Sequence, residues 1–346
     1  MKQVYKLILT ILISCSLGIL ISGCFGNPDV EGAKVAIHRE NNPDRAIELT
    51  QGVVAQDPQN AEAYYVMGEA YGMKGQYKEM NDAFNNSLKA SPKFTAGIEG
   101  LRQKFWQNLF VSGVTSIKQN KLEVALEQFI LATEIMPMRT EAYKNLAYTH
   151  SQMGNDSSAI EVYKKAVEID SSDLDLQTSL GIFYYRAKDY DNAIKVLQPV
   201  LEKAEPGSKE YTDALYHLSY SYDLTDRPEK AIEMYKKALE LTPGDKDLIF
   251  NLSRLYFLQE KYQESIDGFQ QILEDNPEDF EATINVGNAY IKLEEWDKAI
   301  PQLKRATELK PDNANAWDLL GVALVNAGKI EEGKDAFAQA EKIRSQ

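Results

Sequence analysis

The chain has 346 residues, of which 38 are Lys or Arg and 52 are Asp or Glu, so its net charge is −14. This acidity argues against nucleic acid as a partner, and against attachment to anionic lipid headgroups through a basic face, because both need an excess of Lys and Arg. It allows a basic partner without requiring one. The length by itself would suggest two or three domains, but the repeats described below make that estimate misleading.

The N-terminal residues have the pattern of an export signal. Lys2 and Lys6 are followed by an uncharged apolar run at residues 7–21. A membrane span needs roughly 20 apolar residues, so this run is short for a span and typical of a secretory signal. An uncleaved N-terminal anchor is the alternative.

A cysteine follows the apolar run directly. The stretch "LISGC", which ends at Cys24, resembles the bacterial lipobox, although Ile21 stands where the family more often has leucine. The resemblance implies cleavage after Gly23 and fatty acylation of Cys24, with palmitate among the expected chains. The mature protein would then contain neither a free thiol nor a disulfide, because the only other cysteine, Cys15, is removed with the signal.

The lipobox resemblance also implies a location. We expect a lipoprotein signal peptide at residues 1–23 and a lipidated N-terminus with a short tether at residues 24–32. The protein would be exported and held at the membrane by its N-terminal lipid. Phe25 replaces the aspartate that retains many lipoproteins at the inner membrane. In a bacterium with two membranes, this implies the periplasmic side of the outer membrane.

Prolines mark a repeat over the rest of the chain. Pro243, Pro277 and Pro311 are 34 residues apart, and so are Pro58 and Pro92. A fixed period in this range is the signature of a repeat architecture.

Each period contains two helical patterns. In "AWDLLGVAL", Trp317, Leu320 and Gly321 share one helix face, and the glycine allows a neighbouring helix to approach closely. A second helix follows, as in "WDKAIPQLKRA", and the proline of the period lies just beyond its end. Residues suited to N-capping precede several first helices, namely Asn60, Asp173, Asp245, Asp279 and Asn313.

These motifs resemble the tetratricopeptide repeat, whose signature is W-x2-L-G-x2-Y, A-x3-F and P. The resemblance implies an all-α fold, a right-handed superhelical solenoid of paired antiparallel helices over residues 33–346. We place a degenerate unit at 27–60, followed by eight repeats at 61–94, 106–139, 140–173, 174–207, 212–245, 246–279, 280–313 and 314–346.

Two insertions interrupt the period. Eleven residues are added at 95–105, and eleven residues make close to three helical turns, so we predict one long helix from Thr95 to Lys118. Four residues are added near "EPGSKEY", where Pro206 and Gly207 favour a longer loop.

Nothing in the sequence indicates catalysis. The three histidines, His38, His150 and His217, belong to different repeats and have no metal-ligand spacing with a second His or Cys. No glycine-rich phosphate loop and no G-x-S-x-G motif is present. We therefore expect no enzymatic activity, no catalytic residue, no cofactor and no metal site.

In the family, the first helices line a concave groove through their second, fifth, ninth and twelfth positions. Rings occupy many of these positions here, and three cations flank the rings and are expected to meet acidic groups or a peptide carboxylate. We therefore predict a binding groove for protein or peptide segments made by Lys144, Tyr148, Tyr185, Arg186, Tyr216, Tyr220, Phe250, Arg254 and Phe257. The alternative for each ring is packing into the core.

The second position of the first helix is acidic in six repeats. One interpretation is an acidic ladder for a basic ligand. The other, which we favour, is that carboxylates there interact favourably with the helix dipole, for about 0.3–1 kcal/mol each. The residues concerned are Glu62, Glu141, Asp175, Asp213, Asp247 and Glu281.

The resemblance therefore implies a membrane-anchored scaffold for protein–protein interactions in the cell envelope. The alternative is a structural component that assembles with copies of itself. The last helix favours this alternative, since we expect it to leave Phe337 and Ala340 uncovered.

Overall fold

The computed structural model describes residues 26–345, which form 18 α-helices, one short 3-10 helix at Pro92–Phe94 and no strand. The predicted all-α repeat fold is confirmed. The nine first helices are α1 (Pro28–His38), α3 (Ala61–Met73), α5 (Thr95–Lys118), α7 (Thr140–Gln152), α9 (Leu174–Arg186), α11 (Lys209–Leu224), α13 (Lys246–Leu258), α15 (Phe280–Lys292) and α17 (Ala314–Asn326). The nine second helices are α2 (Pro43–Gln56), α4 (Tyr77–Ala90), α6 (Leu122–Ile135), α8 (Asp156–Ile169), α10 (Tyr190–Lys203), α12 (Pro228–Leu241), α14 (Tyr262–Asp275), α16 (Trp296–Leu309) and α18 (Ile330–Arg344).

The chain divides into two compact units, an N-terminal unit at Met1–Asp170 and a C-terminal unit at Ser171–Gln346. Each unit has its own buried apolar clusters. Those of the N-terminal unit include Phe84 and Phe129, and those of the C-terminal unit include Tyr235 and Phe269. No helix between residues 26 and 345 combines the length and apolar character needed to cross a membrane.

A large side chain of the second helix meets a small residue of the first helix within a repeat. A Cβ atom added to Gly68 would lie 2.4 Å from the ring of Phe84, and one added to Gly287 would lie 2.6 Å from Leu303. Such distances are too short for any side chain, so the absence of a Cβ atom is what allows the helices of the pair to approach closely. This confirms the close approach predicted from the glycine of the repeat motif.

The helix caps follow the predicted pattern. The side chains of Asn60, Asp173, Asp245, Asp279 and Asn313 each accept a hydrogen bond from a backbone N–H group in the first turn of the following helix. These bonds satisfy donors that the helix itself leaves unpaired.

The turn from the first to the second helix uses one left-handed residue in every pair. Gly75, Gly154 and Gly328 occupy this position in three pairs, where φ is 72°, 78° and 81°. In the other six pairs a residue with a side chain takes the strained conformation, namely Asn41, Asn120, Lys188, Asp226, Glu260 and Glu294.

The eleven-residue insertion forms the predicted long helix. Helix α5 runs from Thr95 to Lys118, and its added turns bury Ile98 and Phe105. Arg102 fixes this part of α5 to α4, since its guanidinium donates to the side-chain oxygens of Asn81 and Asn85 over 2.9 Å each.

The four-residue insertion only partly forms the predicted longer loop, which covers residues 204–208 and contains Pro206 and Gly207. A longer loop was expected near "EPGSKEY", but α11 begins at Lys209 and has 16 residues, three more than α9 or α13. Ser208 caps the helix by accepting the backbone N–H of Tyr211 over 3.2 Å, so most of the added residues join the helix.

Both ends of the described chain also differ from expectation. Residues 28–32, predicted as part of a tether, are helical, because α1 begins at Pro28 and Asn27 caps it by accepting the backbone N–H of Asp29. At the other end, Ala340 is buried, which contradicts its expected exposure, while Phe337 is 37% exposed. Cys24 and the signal peptide lie outside the described residues.

Candidate partner-binding surface

Two of the nine predicted groove residues lie on α7 of the N-terminal unit. Tyr148 is 45% exposed, and Lys144 lies one turn earlier and is half-buried. Residues four apart in a helix share a face, so the ring and the lysine stem belong to one surface. Tyr148 is therefore a surface ring and not a core ring.

Three predicted rings of the C-terminal unit form one contiguous cluster. The ring centroids of Tyr216 and Tyr220 are 4.8 Å apart on α11, and Tyr185 of α9 lies 6.4 Å from Tyr220. Tyr216 is 36% exposed, whereas Tyr185 and Tyr220 are half-buried and pack against the core. Tyr216 is thus a surface ring, whereas Tyr185 and Tyr220 belong partly to the core.

His217 completes this cluster, although it was not among the predicted groove residues. Its ring lies 4.9 Å from that of Tyr185 and 5.6 Å from that of Tyr216. Burial lowers the pKa of His217, although the charge of Asp213 opposes the shift. We call Tyr185, Tyr216, His217 and Tyr220 the ring patch. The sequence feature that could have indicated His217 as part of this surface is its place next to Tyr216, in the sixth position of the repeat.

The floor of the ring patch is a buried tyrosine. The ring of Tyr235 lies 5.5 Å from that of Tyr220, and the Tyr235 hydroxyl donates to Asp223 over 3.2 Å. Burial, with the charge of Asp223, raises the pKa of Tyr235 far above its ordinary value, so the phenol stays neutral. Burial likewise raises the pKa of Tyr220, and a hydrogen bond with Tyr216 adds to the shift.

Arg254, predicted to flank the rings of the groove, has an acidic partner within the protein. Its guanidinium forms an ion pair with Asp223, whose side chain is only 11% exposed. Arg254 was expected to meet an acidic group of a partner, but this contact within the protein already holds it. The guanidinium of Arg186 lies 5.0 Å from the ring centroid of Phe183 in a cation–π arrangement.

The last two predicted rings, Phe250 and Phe257, each contact a ring on the second helix of their repeat. Phe250 of α13 is in edge contact with Phe269, at a centroid distance of 5.3 Å, and Phe257 contacts Tyr262 at 5.4 Å. Both phenylalanines are half-buried. They therefore pack between the two helices of the repeat and are also partly exposed at its surface.

Most of the acidic second positions are neutralised within the protein. Glu62 pairs with Lys34, Glu141 with Arg139 and Glu281 with Lys310. Lys209 lies 3.8 Å from Asp175 and 3.3 Å from Asp213. Asp247 makes no ion pair with any residue in the part of the chain that the structure describes. The six carboxylates are thus not an open acidic ladder.

The described residues contain no group of three or more His, Cys, Asp or Glu side chains placed to hold a metal ion. The predicted surface residues do not converge on a single reactive centre either. The arrangement offers ring faces and polar edges for contact.

Comparison with known proteins identifies the repeat and a family. The family model described as Intraflagellar transport protein 56 matches residues 143–346, and a tetratricopeptide repeat model matches residues 61–94.

Individual relatives are distant and much longer. BBSome complex member BBS4 of Bos taurus is 26% identical over 40% of this chain and 26% of its own length. Anaphase-promoting complex subunit CDC16 of Saccharomyces cerevisiae is 26% identical over 55% of this chain and 22% of its own. This chain spans about a quarter of the length of these curated relatives. Among solved structures, YrrB, described as a TPR protein with an unusual peptide-binding site, is 25% identical, with a TM-score of 0.49 over 54% of this chain and 95% of that one.

Proposed function

Because this chain belongs to the family described as Intraflagellar transport protein 56, whose model matches 204 of its 346 residues, we propose that it is a non-catalytic scaffold for protein–protein interactions. It binds segments of partner proteins on the face of its first helices, which lines the groove in tetratricopeptide-repeat proteins. BBS4 and CDC16 are named as members of multiprotein complexes, and this supports the proposal.

The observation that carries the proposal is the exposure of aromatic rings on this face. Tyr148 and Tyr216 remain 45% and 36% exposed, although each belongs to a helix whose other face is buried. Tyrosine contributes a large contact area with few rotatable bonds, so it costs little entropy to immobilise in a complex. Tyr216 also continues into the ring patch and so forms part of a larger apolar surface.

The test removes these rings without disturbing the core. We expect Tyr148→Ser together with Tyr216→Ser to reduce capture of the natural partner about tenfold or more, since each ring at a contact centre contributes about 1–2 kcal/mol. Capture is measured by crosslinking in cells followed by purification of the protein. Melting should change little, because both rings are at the surface.

Two exposed apolar residues on second helices provide the matched control. Val124 of α6 is 44% exposed and Leu241 of α12 is 40% exposed. Their replacement by serine removes similar surface from the other helix of the pair, and should leave capture unchanged. If the tyrosine variant stays folded and captures the partner as well as this control does, the first-helix face is not the binding surface.

The scaffold is anchored to the membrane by lipid on Cys24 under this proposal, on the strength of the lipobox resemblance. Tetratricopeptide lipoproteins of envelope assemblies resemble it in this respect. A firm attachment is expected because each buried methylene contributes about 0.8 kcal/mol.

Replacing the cysteine tests the anchor separately from the binding face. Cys24→Ser should abolish metabolic labelling with a fatty acid and release the protein from the membrane fraction. Labelling that persists in this variant would reject the lipobox interpretation. Recovery of the wild-type protein only in the inner membrane would reject outer-membrane sorting alone.

A further inference from the structure

The acidic excess of this protein lies mainly in its C-terminal unit. Residues 171–346 contain 33 Asp and Glu and 21 Lys and Arg, a net charge of −12. Residues 26–170 contain 19 and 15, a net charge of −4. The C-terminal unit therefore attracts cations more strongly than the rest of the described chain.

Carboxylates surround the ring patch of this unit. Asp213 lies one turn before Tyr216 and His217 on α11, and its charge acts on His217. Asp245 and Asp247 lie at the start of α13, and both charges act on Tyr220 in addition to the larger effect of burial on its pKa. The rings thus lie in a negative field that arises from two helices.

Three cations near the patch already form ion pairs within the protein. Arg254 is paired with the buried Asp223, and Lys246 is paired with Asp279 of α15. Lys209 is shared between Asp175 and Asp213. Asp247 has no ion-pair partner among residues 26–345 and is exposed. A partner at the ring patch therefore meets ring faces and the unpaired carboxylate of Asp247, while Lys209 partly offsets the charge of Asp213.

We propose that the ring patch binds a basic segment of the partner protein and holds an Arg or Lys side chain of that segment over Tyr216, with Asp213 and Asp247 at its edge. This inference rests on the proposed function and specifies the chemistry of the partner. A cation over a tyrosine face is attracted by the ring quadrupole, and nearby carboxylates strengthen the attraction. An acidic segment would be repelled by the same carboxylates, and a neutral apolar segment would gain nothing from them.

Synthetic peptides test the charge of the partner directly. The probe is a fluorescein-labelled peptide of repeated Gly-Ser-Arg, and binding is followed by fluorescence anisotropy on the protein lacking residues 1–24. We expect this peptide to bind about tenfold more tightly than the same peptide with the neutral isostere citrulline in place of arginine. A peptide with glutamate in place of arginine should not bind. Tighter binding of the citrulline or glutamate peptide would overturn the proposal.

Substitutions then locate the site. Tyr216→Leu should weaken binding of the arginine peptide by about threefold to tenfold, whereas Tyr216→Phe should retain it, because phenylalanine keeps the ring face. Asp247→Asn should weaken binding by about threefold, and by less at about 500 mM than at about 50 mM salt. Equal binding by the Leu and Phe variants would show that the ring does not hold the cation.

A matched carboxylate controls for general electrostatic attraction. Asp297 is the second residue of α16, as Asp247 is the second residue of α13, and both are exposed. Asp297→Asn changes the net charge and the helix terminus in the same way, but on a second helix. If it weakens binding as much as Asp247→Asn does, binding is diffuse and the proposed site is wrong.

The outcomes separate this inference from the proposed function. A photo-crosslinker at Tyr216 that captures the natural partner, combined with failure of the arginine peptide to bind, overturns the basic-segment inference and leaves the scaffold function standing. Binding of the arginine peptide at the ring patch, with partner capture unaffected by Tyr148→Ser and Tyr216→Ser, supports the inference about chemistry and overturns the assignment of the scaffold face.

Discussion

Asp279 shows how a single carboxylate joins two repeats of the C-terminal unit. One of its oxygens accepts the backbone N–H of Ala282 over 2.9 Å and caps α15, and the other accepts from Lys246 at the start of α13. Burial favours the neutral acid, but the hydrogen bond from Lys246 and the backbone N–H groups outweigh it, and the pKa of Asp279 is lowered. The folded protein therefore binds this proton less readily than the unfolded chain does.

A pH-dependent stability follows from this lowered pKa. The contribution of Asp279 is present at pH 7 and is lost as the pH falls from about 4 through the lowered pKa. We expect Asp279→Asn, which keeps the cap and loses the ion pair, to reduce the free energy of unfolding by about 1 kcal/mol at pH 7 and by less at pH 3. Urea denaturation at both pH values measures the difference from wild type. An equal difference at pH 7 and pH 3 would show that the carboxylate charge contributes nothing.

The contacts of single residues differ in how far the sequence could predict them. The N-cap of Asp279 was predictable, because a cap and the N–H group it accepts are three residues apart. The rings of Tyr216 and Tyr220 were predictable on one helix face for the same reason of short spacing. The ion pair of Arg254 was not, because Asp223 lies 31 residues earlier and on a different helix.

Among the helices, α5 shows that an insertion can add core as well as length. Its first turns bury Ile98 completely, and Phe105 packs so closely that a Cβ atom on Gly72 would lie 2.4 Å from the ring. The length was predictable because eleven residues complete close to three turns and keep the buried face in register. The four-residue insertion was not predictable in the same way, since about one turn can lengthen either a helix or a loop, and the cap at Ser208 decides which.

Two substitutions in α5 test this interpretation in opposite directions. Ile98→Ala should lower the free energy of unfolding by about 2–4 kcal/mol, because it leaves a cavity at a fully buried site. Gly100→Ala should raise it by about 0.5–1 kcal/mol, because Gly100 is exposed within the helix and a Cβ atom there meets nothing within 4 Å. Chemical denaturation measures both. If Ile98→Ala costs no more than a surface substitution, the inserted turns do not belong to the core.

At the scale of the whole molecule, the net charge of −14 opposes contact between copies of the chain at neutral pH. The alternative to a scaffold is self-assembly, and the exposed side chains of α18 are the feature that favours it. Ile330 is 45% exposed and Phe337 is 37% exposed, but Ala340, also expected at this surface, is buried. The apolar surface available for a contact between copies is thus smaller than the sequence indicated.

We therefore expect the protein lacking residues 1–24 to be a monomer in light scattering at pH 7.5, at about 50 mM and at about 500 mM salt. The comparison of the two salt concentrations is informative because salt screens the repulsion between like charges beyond roughly 10 Å at 0.1 M, and beyond shorter distances as the concentration rises. An apolar contact hidden by repulsion would appear as an oligomer only at the higher concentration. Ile330→Lys would abolish such an oligomer if it forms through α18, whereas the matched control Leu241→Lys would retain it. That result would show that the protein assembles with itself and is not a scaffold.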